Sequence, residues 1–302
     1  MVVGIASVMS EKIMAARNVK MTDFHPGDDN ISVSLVKQNG IGSGQIIRRK
    51  KDGSLEYLHD DLTVEEPLEI QIGPKTLATT MRTPGHDEEL AAGFLVSEAI
   101  VRDRTSIAGI SSKGQNQVVV RIAEGATRNF NAAQRFGTIT SSCGLCGKTS
   151  IDAIRQSFAP IDSSNLRVDL EVLLSLPEKL RKAQGDFART GGIHAAGIFD
   201  PNGDVKTVRE DIGRHNAVDK AIGRAFLDGQ LPLNRSMLFV SGRASFEIMQ
   251  KALSAGIPIV GSVSAPSTLA VNFARESNQT LLGFLRPPSF NIYTHVERVI
   301  LQ

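Results

Sequence analysis

Short alternations of apolar and polar residues mark the first half of the chain. Ile31, Val33 and Leu35 alternate with polar neighbours until Asn39-Gly40-Ile41-Gly42-Ser43-Gly44 interrupts the run, and Leu68, Ile70 and Ile72 alternate again before Gly73-Pro74. A period of two is the mark of a half-buried strand, and glycine with proline marks the turns between strands. Thr83-Pro84-Gly85-His86-Asp87 then introduces a helix. Asp87, Glu88 and Glu89 suit its positive end, and Leu90, Phe94 and Val101 are expected on one face. Val118 to Ile122 reads as a further strand. Residues 31–138 are therefore expected to form a small, β-rich α+β domain. Residues 1–30 are expected to form a flexible arm that ends in the turn-rich His25-Pro26-Gly27-Asp28-Asp29-Asn30.

After residue 138 the pattern changes to alternating strands and helices. Strands are expected at 192–199, 205–208, 237–240, 257–263 and 280–285. Helices are expected at 216–227, 246–255 and 267–275, the first two closed by Gly229 and Gly256. Such alternation predicts a three-layer α/β domain over 139–302. Neither internal repeats nor low-complexity tracts interrupt it.

The 302 residues are 41% hydrophobic, enough to bury one large or two ordinary cores. Thirty-four basic and 32 acidic side chains leave a net charge of +2, and the isoelectric point is near 8.6. That balance supplies no field that would by itself gather nucleic acid or a membrane surface. Glu11, Lys12 and Arg17 interrupt the apolar residues at the start, so no secretory leader is expected. Nor does the chain contain a run of about 18 apolar residues. Cytoplasmic residence, with reduced thiols, is the expectation.

The only two cysteines stand three apart, in Ser141-Ser142-Cys143-Gly144-Leu145-Cys146-Gly147-Lys148. A helical pattern of Ile151, Ile154 and Phe158 follows directly. A glycine-flanked pair running into a helix start, beside Lys148, favours the thiolate form. Those properties suit a carrier that must attack a sulfane sulfur, hold it and present it. A buried structural pair, a thioredoxin-like redox pair and half of a tetrahedral zinc site are the competing readings. Zinc deaminase chemistry needs H-x-E ahead of P-C-x-x-C. Here the cysteines precede His194, and Ala196 stands where the glutamate would be.

Four further segments carry candidate ligand groups, and the last three share one layout: a strand end, small or polar residues, then a helix start. Thr190-Gly191-Gly192-Ile193-His194 sets His194 at the head of a small-residue strand. Arg209-Glu210-Asp211-Ile212-Gly213-Arg214-His215-Asn216 and Ser241-Gly242-Arg243-Ala244-Ser245 each bring an arginine to a helix start, and Ser264-Ala265-Pro266-Ser267-Thr268 brings hydroxyls. In an α/β sheet these junctions line one rim, the expected place for a phosphate-bearing ligand held by His194, Arg214 and Arg243. Capped loops with internal salt bridges are the alternative. Arg48-Arg49-Lys50-Lys51, followed by Asp52-Gly53, reads as a solvated hairpin edge.

Six segments, in order, resemble the FdhD family of formate dehydrogenase accessory sulfurtransferases: TPGHDEELAAGFLVSEAI (83–100), CGLCG (143–147), TGGIHAAG (190–197), EDIGRHNAVDK (210–220), VSGRASFEIMQK (240–251) and SAPSTLAV (264–271). The resemblance implies a homodimer whose larger domain is similar to cytidine deaminases. It implies that persulfide sulfur is accepted from a cysteine desulfurase and passed to the molybdenum of a bis-molybdopterin guanine dinucleotide cofactor, which formate dehydrogenase then receives. On this match Cys143 is the persulfide carrier and Cys146 its partner. The cofactor contact falls on Phe284, Leu285, Arg286, Pro287, Pro288 and Ser289, and GDP-like nucleotides should mimic the acceptor. This chain departs from the family pattern at Pro287-Pro288-Ser289, which offers fewer donors. A metal- or cofactor-binding chaperone using the same cysteines is the alternative. No resident metal is expected.

Overall fold

The computed structural model describes residues 40–124, 139–140, 158–162 and 166–301. It opens with two strands, β1 (Ile41–Arg49) and β2 (Leu55–Thr63), paired antiparallel from Ile41↔Thr63 to Arg49↔Leu55. The interruption expected at 39–44 is thus largely strand. Gly42 and Gly44 sit in the ladder opposite Leu62 and Asp60, because a complete partner strand outweighs the entropic cost of two glycines. The basic run does occupy the hairpin tip. There the Asp52 carboxylate accepts from the Ser54 amide (2.9 Å) and hydroxyl (2.6 Å), and Gly53 takes a φ of +87°. The expected strand at Ile31–Leu35 lies outside the described residues.

The next elements are β3 (Glu66–Ile72), β4 (Lys75–Arg82), α1 (Asp87–Ser97), β5 (Ile107–Ser112), β6 (Gln117–Ile122) and β7 (Ile139–Thr140). Their strands make a sheet in the order β5-β6-β3-β4-β7. Because β7 pairs with β4, this sheet extends past the boundary expected at residue 138. Leu68, Ile70, Val118 and Val120 cover one face of the sheet with Leu90, Leu95 and Val96 of α1. The single apolar face expected for α1 is replaced by burial nearly all round. Ala91, Ala92 and Gly93 are buried too, Phe94 is only half-buried, and Val101 lies beyond the helix end. A helix packed on both sides has no polar stripe to display.

The second half contains β8 (Val168–Asp169), α2 (Leu170–Ala183), α3 (Gly185–Thr190), β9 (His194–Phe199), β10 (Val205–Asp211) and α4 (Arg214–Leu227). There follow β11 (Met237–Val240), α5 (Phe246–Ser254), β12 (Ile259–Ser262), α6 (Thr268–Glu276), β13 (Thr280–Arg286), β14 (Ser289–Thr294) and β15 (Val299–Ile300). Six strands form a mixed sheet ordered β10-β9-β11-β12-β13-β14, with β11, β12 and β13 mutually parallel. Successive side chains point to opposite faces. Ala196, Ile198, Leu238, Val240, Val260 and Leu281 meet the α4–α6 layer. Ala195, Phe199, Met237, Phe239, Ile259 and Leu282 meet Leu173, Leu176 and Leu180 of α2. The central strands β11 and β12 are buried on both faces and read as unbroken apolar runs, while the edge strands β10 and β14 keep polar, partly exposed positions; the expected three-layer α/β class is the one adopted.

The two sheets share one core across a helix seam. A Cβ built on Gly93 of α1 would fall 1.9 Å from the Asp219 carbonyl oxygen, and one on Gly223 of α4 would fall 1.8 Å from that of Glu89. The helices touch backbone to backbone there, and only glycine permits it. Among the described residues, no helix is long and apolar enough to cross a membrane.

Candidate functional site

The sheet register brings the three expected junctions to one rim. His194 begins β9 opposite Asp211 at the end of β10. Ser241, just after β11, pairs back to Ala195: its amide donates to the Ala195 carbonyl (3.0 Å) and its hydroxyl accepts from the Ala195 amide (2.9 Å). After β12, the Val263 amide donates to the Val240 carbonyl (3.1 Å). The Phe284 amide donates to Ser264 (3.1 Å), joining β13 to the same edge. Buried Ser262 ties two of the loops together, since its hydroxyl lies 2.7 Å from the Gly242 carbonyl and accepts from the Ser264 amide at 3.1 Å.

His194 and Arg214 flank buried Gly242. A Cβ built there would lie 3.4 Å from His194 Nδ1 and 3.5 Å from Arg214 Cβ and Cδ. His194 is half-buried, and burial followed by the Arg214 charge holds its pKa below the usual histidine value; Asp211 pulls it up and Arg243 presses it down. His215, also half-buried, is held at about 4 by burial and by the charges of Lys251 and Arg214. Its Nε2 lies 3.3 Å from Ser245 Oγ and 3.8 Å from Glu247 Oε2. Ser245 therefore faces His215 and does not cap α5 with its side chain, and α4 starts at Gly213 without a side-chain cap either. Two helix starts, a buried Arg214 Nε without a hydrogen-bond partner among the described residues, and exposed Arg243 together make an anion-attracting rim.

The dense motif at 209–220 is divided between this rim and the interior. Asp211 is fully buried against Lys220 Nζ at 2.7 Å and accepts from the amides of Thr83 (3.2 Å) and Gly213 (2.8 Å) and from Asn216 Nδ2 (3.0 Å). Glu210 caps α3 by accepting from the Asp186 and Phe187 amides at 3.0 and 2.9 Å. Arg209 grips Glu89 with two hydrogen bonds of 2.5 and 2.8 Å. Lys220 also donates to the Thr83 carbonyl at 2.8 Å. Internal salt bridges thus account for most of the motif, and Arg214 and His215 are left for the rim. The sequence places Asp211, His215 and Ser241 within motifs but gives them no individual role, and it does not mark Ser262. Their roles rest on partners in other elements, such as Thr83 for Asp211, Ser245 for His215, Ala195 for Ser241 and Gly242 for Ser262.

At the other end of the rim, Phe284 is 43% exposed and takes a φ of +50° within an irregular β13–β14 pairing. Leu285 is fully buried in the α2-side core, so only its backbone remains available to a ligand. Arg286 Nε donates to the Val263 carbonyl at 2.9 Å, and exposed Pro287 and Pro288 form the turn that pairs Arg286 with Ser289. Cys143 and Cys146 lie outside the described residues. A cleft of about 660 Å³ is lined by Thr83–His86, by Gly40 and Val64 at the hairpin base and by Val208–Glu210.

The chain has counterparts among known proteins. The FdhD/NarQ family model matches residues 63–300. A protein named sulfur carrier protein FdhD from Streptomyces avermitilis is 48% identical over 275 residues, covering 86% of this chain and 98% of that one. Its namesake from Mycobacterium tuberculosis is 47% identical over 254 residues (80% and 92%), and that from Sulfolobus acidocaldarius 44% over 258 (84% and 97%). A crystal structure described as a formate dehydrogenase accessory protein from Desulfotalea psychrophila shares the fold, with a TM-score of 0.70 at 23% identity over 85% of this chain and 98% of that one. With a family match spanning both sheets and the whole rim, and relatives alike over nearly their full length, this chain belongs to the FdhD/NarQ family.

Proposed function

We propose that this protein is a sulfurtransferase that carries persulfide sulfur from a cysteine desulfurase to the molybdenum centre of a bis-molybdopterin guanine dinucleotide, serving the maturation of formate dehydrogenase. The molybdenum cofactor is the acceptor substrate in this reading. In the loading step the Cys143 thiolate attacks the outer sulfur of the donor's persulfide, its S–S bond breaks, and the donor leaves as a thiolate while Cys143 becomes the persulfide. Cys146 assists turnover. Sulfur transfer of this kind needs a cysteine favoured as thiolate, which the glycine-flanked pair beside Lys148 supplies.

The observation that carries the acceptor half is the meeting of His194, Arg214 and Arg243 on a rim with two helix starts lacking side-chain caps. Arg214 Nε, buried without a partner among the described residues, is a donor awaiting an oxygen ligand. Phosphates of a guanine dinucleotide fit that donor set, with exposed Phe284 at the opposite end of the rim as a surface for a ring system. The relatives' name, sulfur carrier protein, supports the sulfur-carrying half of the reading.

Intact-protein mass spectrometry after incubation with a cysteine desulfurase and cysteine tests the loading step. A reductant-sensitive gain of one sulfur atom is expected, and Cys143→Ala should abolish it. Normal loading and client activation by Cys143→Ala would remove Cys143 from the role. Retention of zinc in place of a sulfur adduct would support the chaperone reading.

A further inference from the structure

We propose that His194 takes up a proton when an anionic ligand settles between Arg214 and Arg243, so that the imidazolium joins the two arginines in holding it. This deepens the proposed function and rests on its placement of phosphates at the rim.

The ring stands beside both arginines. His194 Nδ1 is near Gly242 on the side shared with Arg214, and no hydrogen bond engages either ring nitrogen among the described residues. Neither nitrogen is held by a described residue. The charged and titratable groups around it come from each packed element: Arg214 and His215 from the first turn of α4, Asp211 from the end of β10, and Arg243 from the loop after β11. Asp211 is the one anion among them, and its carboxylate is already engaged by Lys220, Asn216 and two backbone amides. In the free protein the arginines oppose a third positive charge, and burial adds to that opposition. A phosphate bound to the arginines reverses the local field. The neutral ring then meets an oxygen that prefers a donor with full positive charge. By linkage, whatever binds more tightly to the protonated form must draw a proton in, and its affinity must rise as pH falls. The rise begins at the pKa of the bound form and levels off below that of the free form. It amounts to at most about tenfold per pH unit for one proton.

Proton magnetic resonance of the six histidines tests this in the full chain, with the His194 ring signal assigned by its loss in His194→Gln. Titration with and without saturating GDP is expected to raise the His194 midpoint by about one unit or more, the size of effect a nearby opposite charge exerts. Calorimetry of GDP at pH 6 and pH 8 should show tighter binding at pH 6. His194→Gln should weaken that dependence, and His215→Asn should retain the His194 shift. GDP binding with an unmoved His194 midpoint overturns the proton coupling and leaves the phosphate rim standing. Failure of GDP to bind wild type at any pH overturns the phosphate rim, and the coupling with it.

Discussion

The rim and the α1–α4 seam use the same kinds of residue in opposite ways. At the seam, charges are buried in pairs: Asp211 with Lys220, Asp219 with Lys251 at 2.7 Å, and Glu89 with Arg209. Each also meets backbone or hydroxyl partners, as when Ser97 donates to Asp219 at 2.7 Å. At the rim, Arg243 is exposed, and among the described residues Arg214 Nε has no hydrogen-bond partner and His194 makes no hydrogen bond. Burying a charge is tolerable only when it is paired and fully hydrogen-bonded. A charged motif can therefore be read for function only after its interior partners are subtracted.

This contrast can be broken most severely at the seam. Lys220→Ala leaves the Asp211 carboxylate buried without its cation and should cost roughly 3–5 kcal/mol of stability, measured by urea unfolding. An unchanged midpoint would mean that Asp211 relaxes into other contacts. Gly223→Ala comes next. It places a methyl group against the Glu89 carbonyl and should cost about 1–3 kcal/mol, with the two helices pushed apart.

At the rim the ranking inverts: stability should barely move while binding falls. Arg214→Ala and Arg243→Ala should each weaken GDP affinity by about 1.5–3 kcal/mol, the worth of a hydrogen bond to a charged group, with a smaller salt dependence. His194→Ala at pH 8, where the ring is neutral, should alter affinity without altering the salt slope. If neither arginine change affects affinity or slope, these junctions are capped loops.

The smallest effect is a pH dependence at the seam. Burial works to raise the Glu89 pKa, yet hydrogen bonds and charge from Arg209 and His86 hold it at about 2, against an ordinary 4.5. Its stabilising contribution is complete above the unfolded value and is lost as pH falls from about 4.5 through 2. Glu89→Gln should flatten that part of the acid-unfolding curve.

Legibility followed the range of the interactions. The strands at 237–240 and 280–285 and the helix at 216–227 were readable within a residue or two, because period and turn glycines are local signals. Helix α2 escaped notice although Leu173, Leu176 and Leu180 share a face, since Pro177 interrupts its sequence. Strand β1 was misread because the glycines at 42 and 44 signal a break until β2 pairs with them. Of the candidate residues, His194, Arg214 and Arg243 converge, whereas the Leu285 side chain belongs to the core.

Local order along the chain is enough to show the alternation that makes the three-layer class, the glycines that close its helices, and the ordered motifs that mark the family. Each depends on residues within a few positions of one another, where backbone geometry and burial period are decided. Tertiary structure alone decided which charges in the 209–220 motif are structural. The Thr83 amide reaches Asp211 across 128 positions, and Lys220 reaches the Thr83 carbonyl across 137. The energy of a buried charge depends on the partner delivered to it, and a partner that distant is supplied only when two sheets close on a shared helix seam.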